Sequence, residues 1–506
     1  MAGQCIVGLY TNHGPIATQC YDDLIAEDGS GPLKLTWQDI GTKKNIRQWC
    51  ADRDSVGEIV VHWESLPSSN QGGIQSCIFS IAPVPWSQSE ISTETYRKII
   101  QWNLSESRPG TRAVSAYGEG PQPLERTGSL KDILPLFLMV GPIRSYPPVS
   151  DLVKASHFGY YWFGDDTLER VASLGPFLSG MFQKMSDLFH DPPSETNGYR
   201  IFVRCATPAQ AHGGAAGERN FLLEYNDALP TMSPEGVMYL LSHEMVHNWP
   251  ILDSNPFGTD LNDLVAWFNE GTADFYGSAL PYRFGLANKT SYLNQMNAIL
   301  TAYYTNPLRD ISDKEAHERK FETSNAMDIP YKRGFAFFCC LDREIRRTVQ
   351  GTSLDNLIVE ISQRKMRGEP HGLPIFLDLI KDVAPDMVQV FHDMQSGKLI
   401  VPPSDSLGSD FELVAEPQEV FDLGFTEGSI TSRIITGLSD DHRARDAGIM
   451  EGDEILKNTF LWQCRGSLDQ QMRMKLKRDD KELEVTYWPR SYKKVQSWQF
   501  REKLVV

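Results

Sequence analysis

The first ~160 residues alternate short apolar and polar runs with a period of two, which is typical of half-buried strands. Clusters of Gly, Pro, Ser and Asn separate these runs, as they do between strands. The clearest runs are residues 33–37, 58–63 and 76–81. The pattern predicts a β-rich N-terminal domain over residues 1–163, and a sandwich-like arrangement fits its many short strands.

The pattern changes near residue 164. Apolar residues recur at intervals of three and four between residues 167 and 189, which predicts a helix. Strands are expected at 199–204 and 220–225, with a glycine-rich loop before the second, which we expect at the edge of its sheet. From Ser233 to about Gln395 the pattern is mainly helical. We assign residues 164–400 to one mostly helical domain.

The C-terminal part is β-rich again. Residues 401–410, with several Pro, Ser and Gly, are typical of a linker. Residues 411–490 predict a small β domain, and the tail at 491–506 predicts no element. The expected fold class is therefore multidomain α+β, with a mostly helical domain between two β domains.

Length and charge narrow the class of protein. A chain of 506 residues is expected to contain about three domains. Its 41% hydrophobic and 23% charged residues are typical of a globular protein. The net charge is −17, from 49 basic and 66 acidic residues. Because phosphate binding needs a basic face, nucleic acid and acidic membrane surfaces are not expected as main partners.

The expected location is the cytoplasm. No apolar run has the 18 or so residues that a membrane-spanning helix needs. The N-terminus lacks a basic segment followed by the apolar core of a secretory signal. The eight cysteines are scattered and form no C-x-x-C pair, which fits reduced thiols in an intracellular protein.

The strongest chemical motif is His243-Glu244-Met245-Val246-His247. Ser233 can cap a helix and Pro234 suits its first position, so a helix is expected over about residues 234–249. The two histidines are then one turn, about 6 Å, apart on the same face. Two imidazoles so placed can bind one Zn²⁺, and Glu244 can reach a water on the metal. The alternative is a helix with two histidines that have no metal.

A second motif lies further along the chain, at residues 267–276. Its aromatic residues predict burial, and a buried carboxylate is costly unless it is paired or bound to a metal. We expect Glu270 to be the third ligand, which leaves the fourth position of a catalytic zinc site for water. A helix-end salt bridge is the alternative. Asp274, four residues on, is expected to accept a hydrogen bond from a ligand histidine or to have a capping role.

The third motif is Tyr331-Lys332-Arg333-Gly334 at the expected start of a helix. The Tyr331 hydroxyl can donate a hydrogen bond to the oxyanion of a tetrahedral intermediate. The alternative is that these residues only begin a helix.

In this order the three motifs resemble those of the gluzincin zinc metallopeptidases, and among these the glycyl aminopeptidase family. That family is related to aminopeptidase N and has a thermolysin-like catalytic domain. Its motifs are H-E-x-x-H, W-x-x-E-G and Y-x-[KR]-G, found here at residues 243–247, 267–271 and 331–334. Twenty-two residues, 248–269, separate the second histidine from the glutamate. Aminopeptidase N usually has eighteen there, and the glycyl aminopeptidases have more.

The C-terminal β region resembles a PDZ domain, which often ends members of this family. Residues 447–456 are similar to the A-G-L-x-x-G-D-x-I-L signature, and residues 422–425 to the carboxylate-binding G-L-G-F loop. Asp422 replaces the first glycine of that loop and places a negative charge near the expected carboxylate. The resemblance implies a PDZ-like domain at 411–490 with a peptide or protein ligand.

The family resemblance implies zinc-dependent hydrolysis of peptide bonds. His243, His247 and Glu270 would hold one Zn²⁺, and a zinc-bound water would lose its proton to Glu244. Tyr331 would stabilise the oxyanion together with the metal. The substrates are expected to be peptides.

The resemblance further implies an aminopeptidase, since such enzymes bind the substrate's amine with a glutamate in a glycine-rich segment. Residues 212–220 are the corresponding segment and offer Glu218, without the usual Gly-[LM]-Glu sequence. An endopeptidase is one alternative. Another is a non-catalytic PDZ-containing interaction protein with a structural or degenerate zinc site, although such a protein would not need Glu244.

Overall fold

A computed structural model of the chain describes residues 5–10, 24–40, 46–62, 74–79, 95–129, 136–148, 157–163, 169–194, 198–205, 213–217, 219–225, 233–253, 264–320 and 322–503. The chain mixes helices and strands, as the sequence predicts. Contacts divide it into two compact units, residues 1–187 with 191–230 and residues 188–190 with 231–506. The domain borders drawn from the sequence stay a prediction.

The N-terminal part of the first unit consists of short strands in antiparallel sheets. Two three-stranded sheets share one buried core, to which the first contributes Trp49 and the second Ala26 and Leu33. A further sheet has four strands, and another has two. In chain order the strands are Cys5–Tyr10, Ile25–Asp28, Gly31–Leu33, Leu35–Ile40, Ile46–Ala51, Val60–His62, Ile74–Phe79, Thr95–Ile100, Arg112–Ser115, Gly118–Glu119, Leu124–Ser129 and Leu136–Gly141.

A five-stranded mixed sheet completes this unit. Across the sheet, its strands are Ile143–Tyr146, Phe158–Phe163, Tyr199–Cys205, Asn220–Tyr225 and Gly213–Gly217. Helices Glu169–Ala172 and Gly175–Leu188 replace the single predicted helix at 167–189. Since Phe158–Phe163 and Tyr199–Cys205 are parallel, these helices form the crossover that parallel strands need.

The edge of this sheet differs from the prediction. Asn220–Tyr225 pairs in parallel with Tyr199–Cys205 and antiparallel with Gly213–Gly217, so it is an inner strand. In the part of the chain that the structure describes, Gly213–Gly217 is the edge strand. The predicted glycine-rich loop was wrong there because glycine and alanine have low strand propensity, while pairing to the neighbouring backbone decides the conformation.

The second unit begins with helices, as predicted from Ser233 to Gln395. Three of them carry the motifs: the HExxH helix (Pro234–Val246), the Glu270 helix (Ala266–Arg283) and the Tyr331 helix (Ser324–Thr348). The other helices are Lys289–Tyr304, Asp313–Arg319, Leu354–Met366, Leu373–Val383 and Asp386–Gln395. Among the described residues, no helix combines the length and apolar character needed to cross a membrane.

The C-terminal β region, residues 411–503, belongs to the same unit and has its own buried core, which includes Phe421, Ile435 and Met472. The tail, for which the sequence predicts no element, contributes two strands that pair back onto residues 411–421. The region's strands are Phe411–Ala415, Gln418–Phe421, Glu454–Asn458, Met472–Arg478, Lys481–Tyr487, Arg490–Val495 and Trp498–Glu502, and its short helices are Gly428–Ser432, Arg443–Asp446 and Leu461–Gly466.

Candidate metal centre

The HExxH helix begins as the sequence predicts. The Ser233 side chain accepts a hydrogen bond of 3.0 Å from the Gly236 amide, and Pro234 occupies the first turn, where its missing N–H costs nothing. The α-helix ends at Val246, with His247 as its C-cap, so it is three residues shorter than predicted. His243 and His247 nevertheless lie on the same side, with ring centroids 5.0 Å apart.

Glycines allow the three motif helices to approach closely. A Cβ atom on Gly277 of the Glu270 helix would lie 2.9 Å from the backbone of His243. A Cβ on Gly334 of the Tyr331 helix would lie 2.0 Å from the carbonyl oxygen of Trp267. On Gly271, the residue after Glu270, it would lie 2.7 Å from Gly334. The final glycines of the W-x-x-E-G and Y-x-[KR]-G motifs therefore meet where the two helices cross.

This packing brings His243, His247 and Glu270 together. The Nε2 atoms of both histidines lie 3.3 Å from the same Oε2 atom of Glu270. One potential metal-binding atom from each residue lies within 4.8 Å of the others, so among the described residues these three can hold a metal ion. We call the three residues the donor group.

The donor set fits zinc. Two ligand atoms bound about 2.05 Å from a tetrahedral ion are separated by about 3.3 Å, because the angle between them is near 109°. Both distances from histidine nitrogen to carboxylate oxygen have this value. Two imidazoles and one carboxylate are also the ligands that catalytic zinc sites use.

Asp274 lies directly behind the donor group. It is only 1% exposed, and its Oδ1 is 2.9 Å from Nδ1 of His243. Because Nδ1 donates its proton to Asp274, Nε2 is the nitrogen that could bind a metal after losing its own proton. Tyr239 donates a second hydrogen bond of 2.5 Å to Oδ1, and the Lys332 ammonium donates one of 2.8 Å to Oδ2.

These contacts set the charge of the site. Burial raises the pKa of Asp274, but the Lys332 charge and the contact with His243 outweigh it and lower the pKa to about 2. Burial lowers the pKa of His243, but the Asp274 and Glu270 carboxylates outweigh it and raise the pKa to about 10. Against burial, the two histidines hold the pKa of Glu270 well below its usual range. At this pKa the His243 ring is protonated on both nitrogens at neutral pH, so a metal ion that binds Nε2 would displace its proton.

Glu244 differs from the neighbouring Glu270 in the direction of its pKa shift. Burial raises the pKa of this carboxyl above its ordinary value, against the charges of His247 and His243, which lower it. A general base works best when its pKa is close to the working pH, so this environment suits proton transfer.

Tyr331 stands beside the donor group. Its ring is nearly parallel to the His243 ring, at 7° and 6.1 Å between centroids. The negative charge of Glu270 and burial raise the pKa of Tyr331 well above its ordinary value. The phenol therefore keeps its proton at neutral pH and can act as a hydrogen-bond donor.

Comparison with known proteins agrees with the motifs. A model of the M61 glycyl aminopeptidase family matches residues 236–328, which include both histidines and Glu270. This chain is a peptidase that resembles the M61 family over the matched residues. The resemblance seen in the sequence is thus confirmed, and so is a hydrolase that acts on peptide bonds. No curated protein sequence matches the chain.

Solved structures also match this chain, one of them closely enough to show a similar fold. An aminopeptidase N family protein from Idiomarina loihiensis superposes with a TM-score of 0.63 at 14% identity, over 99% of this chain and 94% of that protein. Leukotriene A4 hydrolase from Saccharomyces cerevisiae gives a TM-score of 0.46 at 13% identity, over 78% of this chain and 62% of the enzyme. This chain therefore spans less than two thirds of the yeast enzyme's length.

Two residues of this site, Tyr239 and Lys332, were not predicted from the sequence. Tyr239 lies four residues before His243, on the same helical face, and this spacing alone could have indicated it. Lys332 is next to Tyr331, but no local pattern pairs it with Asp274, 58 residues earlier. Glu218, expected to bind the substrate's amine, lies outside the described residues.

Proposed function

We propose that the chain is a zinc-dependent aminopeptidase in which Glu244 is the general base. The main observation behind the proposal is the convergence of two imidazole nitrogens on one Glu270 oxygen, each at 3.3 Å, beside the half-buried Glu244. His243, His247 and Glu270 would hold one ion. Zinc supplies Lewis acidity and lowers the pKa of a bound water.

Three side chains have separate roles in the proposed reaction. Glu244 accepts a proton from the attacking water and passes it to the leaving amine, and its raised pKa favours both steps. Tyr331 donates a hydrogen bond to the oxyanion that forms on the scissile carbonyl, since its phenol stays protonated. Asp274 holds the His243 ring in one tautomer and orientation.

The substrate class proposed is peptides with a free N-terminus. The M61 glycyl aminopeptidase match and the aminopeptidase N family neighbour support this choice. Glu218 stays the proposed partner of the substrate's amine. The C-terminal PDZ-like region stays a proposal as well, as does any peptide that it binds.

The test is a panel of amino-acid anilides, free peptides and N-terminally blocked peptides, assayed before and after chelation. We expect cleavage of free N-termini only, loss of activity on chelation and recovery with Zn²⁺. The Glu244→Gln variant should bind zinc as the parent does and lose at least about 10²-fold in kcat, as loss of a general base does.

Asp355→Asn is the matched control, because it also neutralises a carboxylate, one that bonds to Arg283 and Tyr276 and not to the donor group. This variant should keep the parent rate. If Glu244→Gln cleaves as fast as the parent, the general-base role is wrong. Cleavage of blocked peptides would instead show an endopeptidase.

A further inference from the structure

The Tyr331 helix contains a proline directly before Tyr331. Pro330 lies inside this helix, at its seventh position. Proline has no N–H, so the usual hydrogen bond from position 330 to the carbonyl of Ala326 is missing. The first turns of the helix are therefore tied to the rest less firmly than in an ordinary helix. Contacts from outside the helix therefore contribute to fixing the position of these turns.

On the C-terminal side of Tyr331 the helix is firmly held. Gly334 touches the Glu270 helix, as described above. Arg333 is fully buried and donates hydrogen bonds to the carbonyl oxygens of Arg309 and Ile311 and to the Asp313 carboxylate, at 2.6 to 2.9 Å. These contacts fix the helix from position 333 onwards.

On the N-terminal side, Asn306 donates a hydrogen bond of 2.9 Å to the Asn325 carbonyl oxygen, and a carboxylate from the C-terminal β region adds further contacts. Glu427 accepts hydrogen bonds of 2.9 Å from the Ser324 amide and 2.6 Å from the Thr323 hydroxyl, and a further one from the Ser324 hydroxyl. The first amides of a helix lack partners within it, and a negative charge is favourable at this end. Glu427 supplies both an acceptor and that charge.

Arg465, from the same β region, holds the next residues of the helix. It is only 4% exposed and bonds to the Asn325 side chain at 3.1 Å and to the Asp328 carboxylate at 3.0 Å. It also lies 3.4 Å from Glu427. Asp328 is one helical turn before Tyr331. We call Glu427 and Arg465 together the clasp.

We propose that the clasp positions the Tyr331 hydroxyl, so that the C-terminal β region acts as a fixed support of the active site. Tyr331 lies between two anchors, with the proline between it and the clasp. The inference rests on the proposed function, because it assumes that Tyr331 donates to the oxyanion. Glu427 and Arg465 are positioning residues that do not touch the substrate.

Residues 422–425, which resemble a carboxylate-binding loop, support this positioning role and argue against binding of a peptide's C-terminal carboxylate. The Gly424 amide donates a hydrogen bond of 2.8 Å to the Asp422 side chain. It is therefore not free to donate to a peptide carboxylate. The residues that follow form the short helix Gly428–Ser432, whose N-cap is Glu427 itself. This segment thus contacts the Tyr331 helix.

The test compares kcat and KM in Glu427→Ala, Glu427→Gln and Arg465→Met on a substrate that the parent cleaves. Because a misplacement of about 1 Å can cost up to 10²-fold, we expect Glu427→Ala to lower kcat about tenfold, with KM within about twofold. Glu427→Gln keeps one acceptor oxygen and should fall between the parent and Glu427→Ala. Zinc content should not change, since no clasp residue touches the donor group.

The control is Asn297→Ala. Asn297 exchanges two hydrogen bonds of 2.8 Å with the Phe500 backbone, so it joins the same β region to a different helix. This variant should keep the parent kcat. An equal loss of kcat in this variant would show that general loosening of the β region is responsible, and would overturn the inference.

The Tyr331→Phe background decides between positioning and simple destabilisation. Tyr331→Phe alone should lower kcat about 10²–10³-fold, as loss of an oxyanion donor does. Adding Glu427→Ala to it should then cost less than about twofold, because the group to be positioned is gone. A full tenfold further loss would contradict the clasp's role.

Failure of the inference can be told from failure of the proposed function. If Glu244→Gln and chelation abolish activity while Glu427→Ala equals the parent, only the clasp is wrong. If activity survives chelation and Glu244→Gln, the proposed function itself is wrong. Should Glu427→Ala not fold, the same comparisons are made with Glu427→Gln and Arg465→Met.

Discussion

At the scale of single residues, Asp274 is the centre of the charged network around the donor group. Its carboxylate accepts from His243, Tyr239 and Lys332. A carboxylate that is 1% exposed would be costly without such partners. Asp274 is buried and the Lys332 side chain is 18% exposed, so the buried carboxylate depends on the Lys332 charge as its partner. The pair also fixes which nitrogen of His243 faces Glu270.

The first prediction concerns this network. Asp274→Ala should weaken zinc binding by about 10- to 100-fold, because the His243 ring loses the acceptor that orients it. The measurement is zinc competition against a chromogenic chelator. Asp355→Ala removes a carboxylate with no contact to the donor group and serves as the control. Equal zinc affinity in Asp274→Ala and the control would show that the contact does not support metal binding.

At the scale of elements, the motif glycines allow the helices that carry the candidate metal-binding residues to pack closely. Glu270 stands on a helix that touches the HExxH helix through Gly277 and the Tyr331 helix through Gly271. Each contact is closer than a Cβ atom permits. Three helices from distant parts of the sequence are thereby packed around one group of donor atoms.

Gly334→Ala should therefore destabilise the fold by about 1–3 kcal/mol, as overpacking does, because its methyl group would meet the Trp267 carbonyl oxygen. Gly180→Ala is the matched control: it is also within a helix, but nothing lies within 4 Å of the added Cβ. That variant should gain up to about 1 kcal/mol. Denaturant unfolding measures both, and equal stability would contradict the close crossing.

Local signals predicted much of this arrangement, and distant contacts were not predictable. Ser233 was identified as a cap because capping needs only its neighbours in sequence. The convergence of His243 and His247 follows from helical periodicity. The Gly213–Gly217 strand depends instead on its pairing partner. The contact of Glu427 with Ser324 joins residues 103 positions apart, and no local pattern encodes it.

At the scale of the molecule, the donor group and the C-terminal β region belong to one compact unit. The β region forms hydrogen bonds with several helices of that unit. For instance, the buried Arg490 donates a hydrogen bond of 2.8 Å to the Thr305 hydroxyl. A metal ion held by His243, His247 and Glu270 would stabilise only the folded form of this unit. At a free concentration 1,000 times Kd, that stabilisation is about 4 kcal/mol.

Chelation should therefore lower the unfolding temperature, and its local effect should be visible by hydrogen exchange. We expect amides of the HExxH and Glu270 helices to exchange faster after chelation. Amides of strands Tyr199–Cys205 and Asn220–Tyr225, in the first unit, should be unaffected. Readdition of Zn²⁺ is the control. A uniform change in both units, or none in the two helices, would contradict a zinc site at these residues.

The glycine contacts of the Glu270 helix bear on how sequences with this site can be recognised and on where their lengths can differ. Helix packing fixes the position of Glu270, so the segment joining it to His247 is free to gain or lose residues without displacing the carboxylate. Twenty-two residues separate the two here. A sequence pattern with a fixed number of residues between the second histidine and the glutamate will therefore miss chains in which this number differs. A pattern that requires glycines one and seven positions after the glutamate instead describes the helix contacts that place its carboxylate.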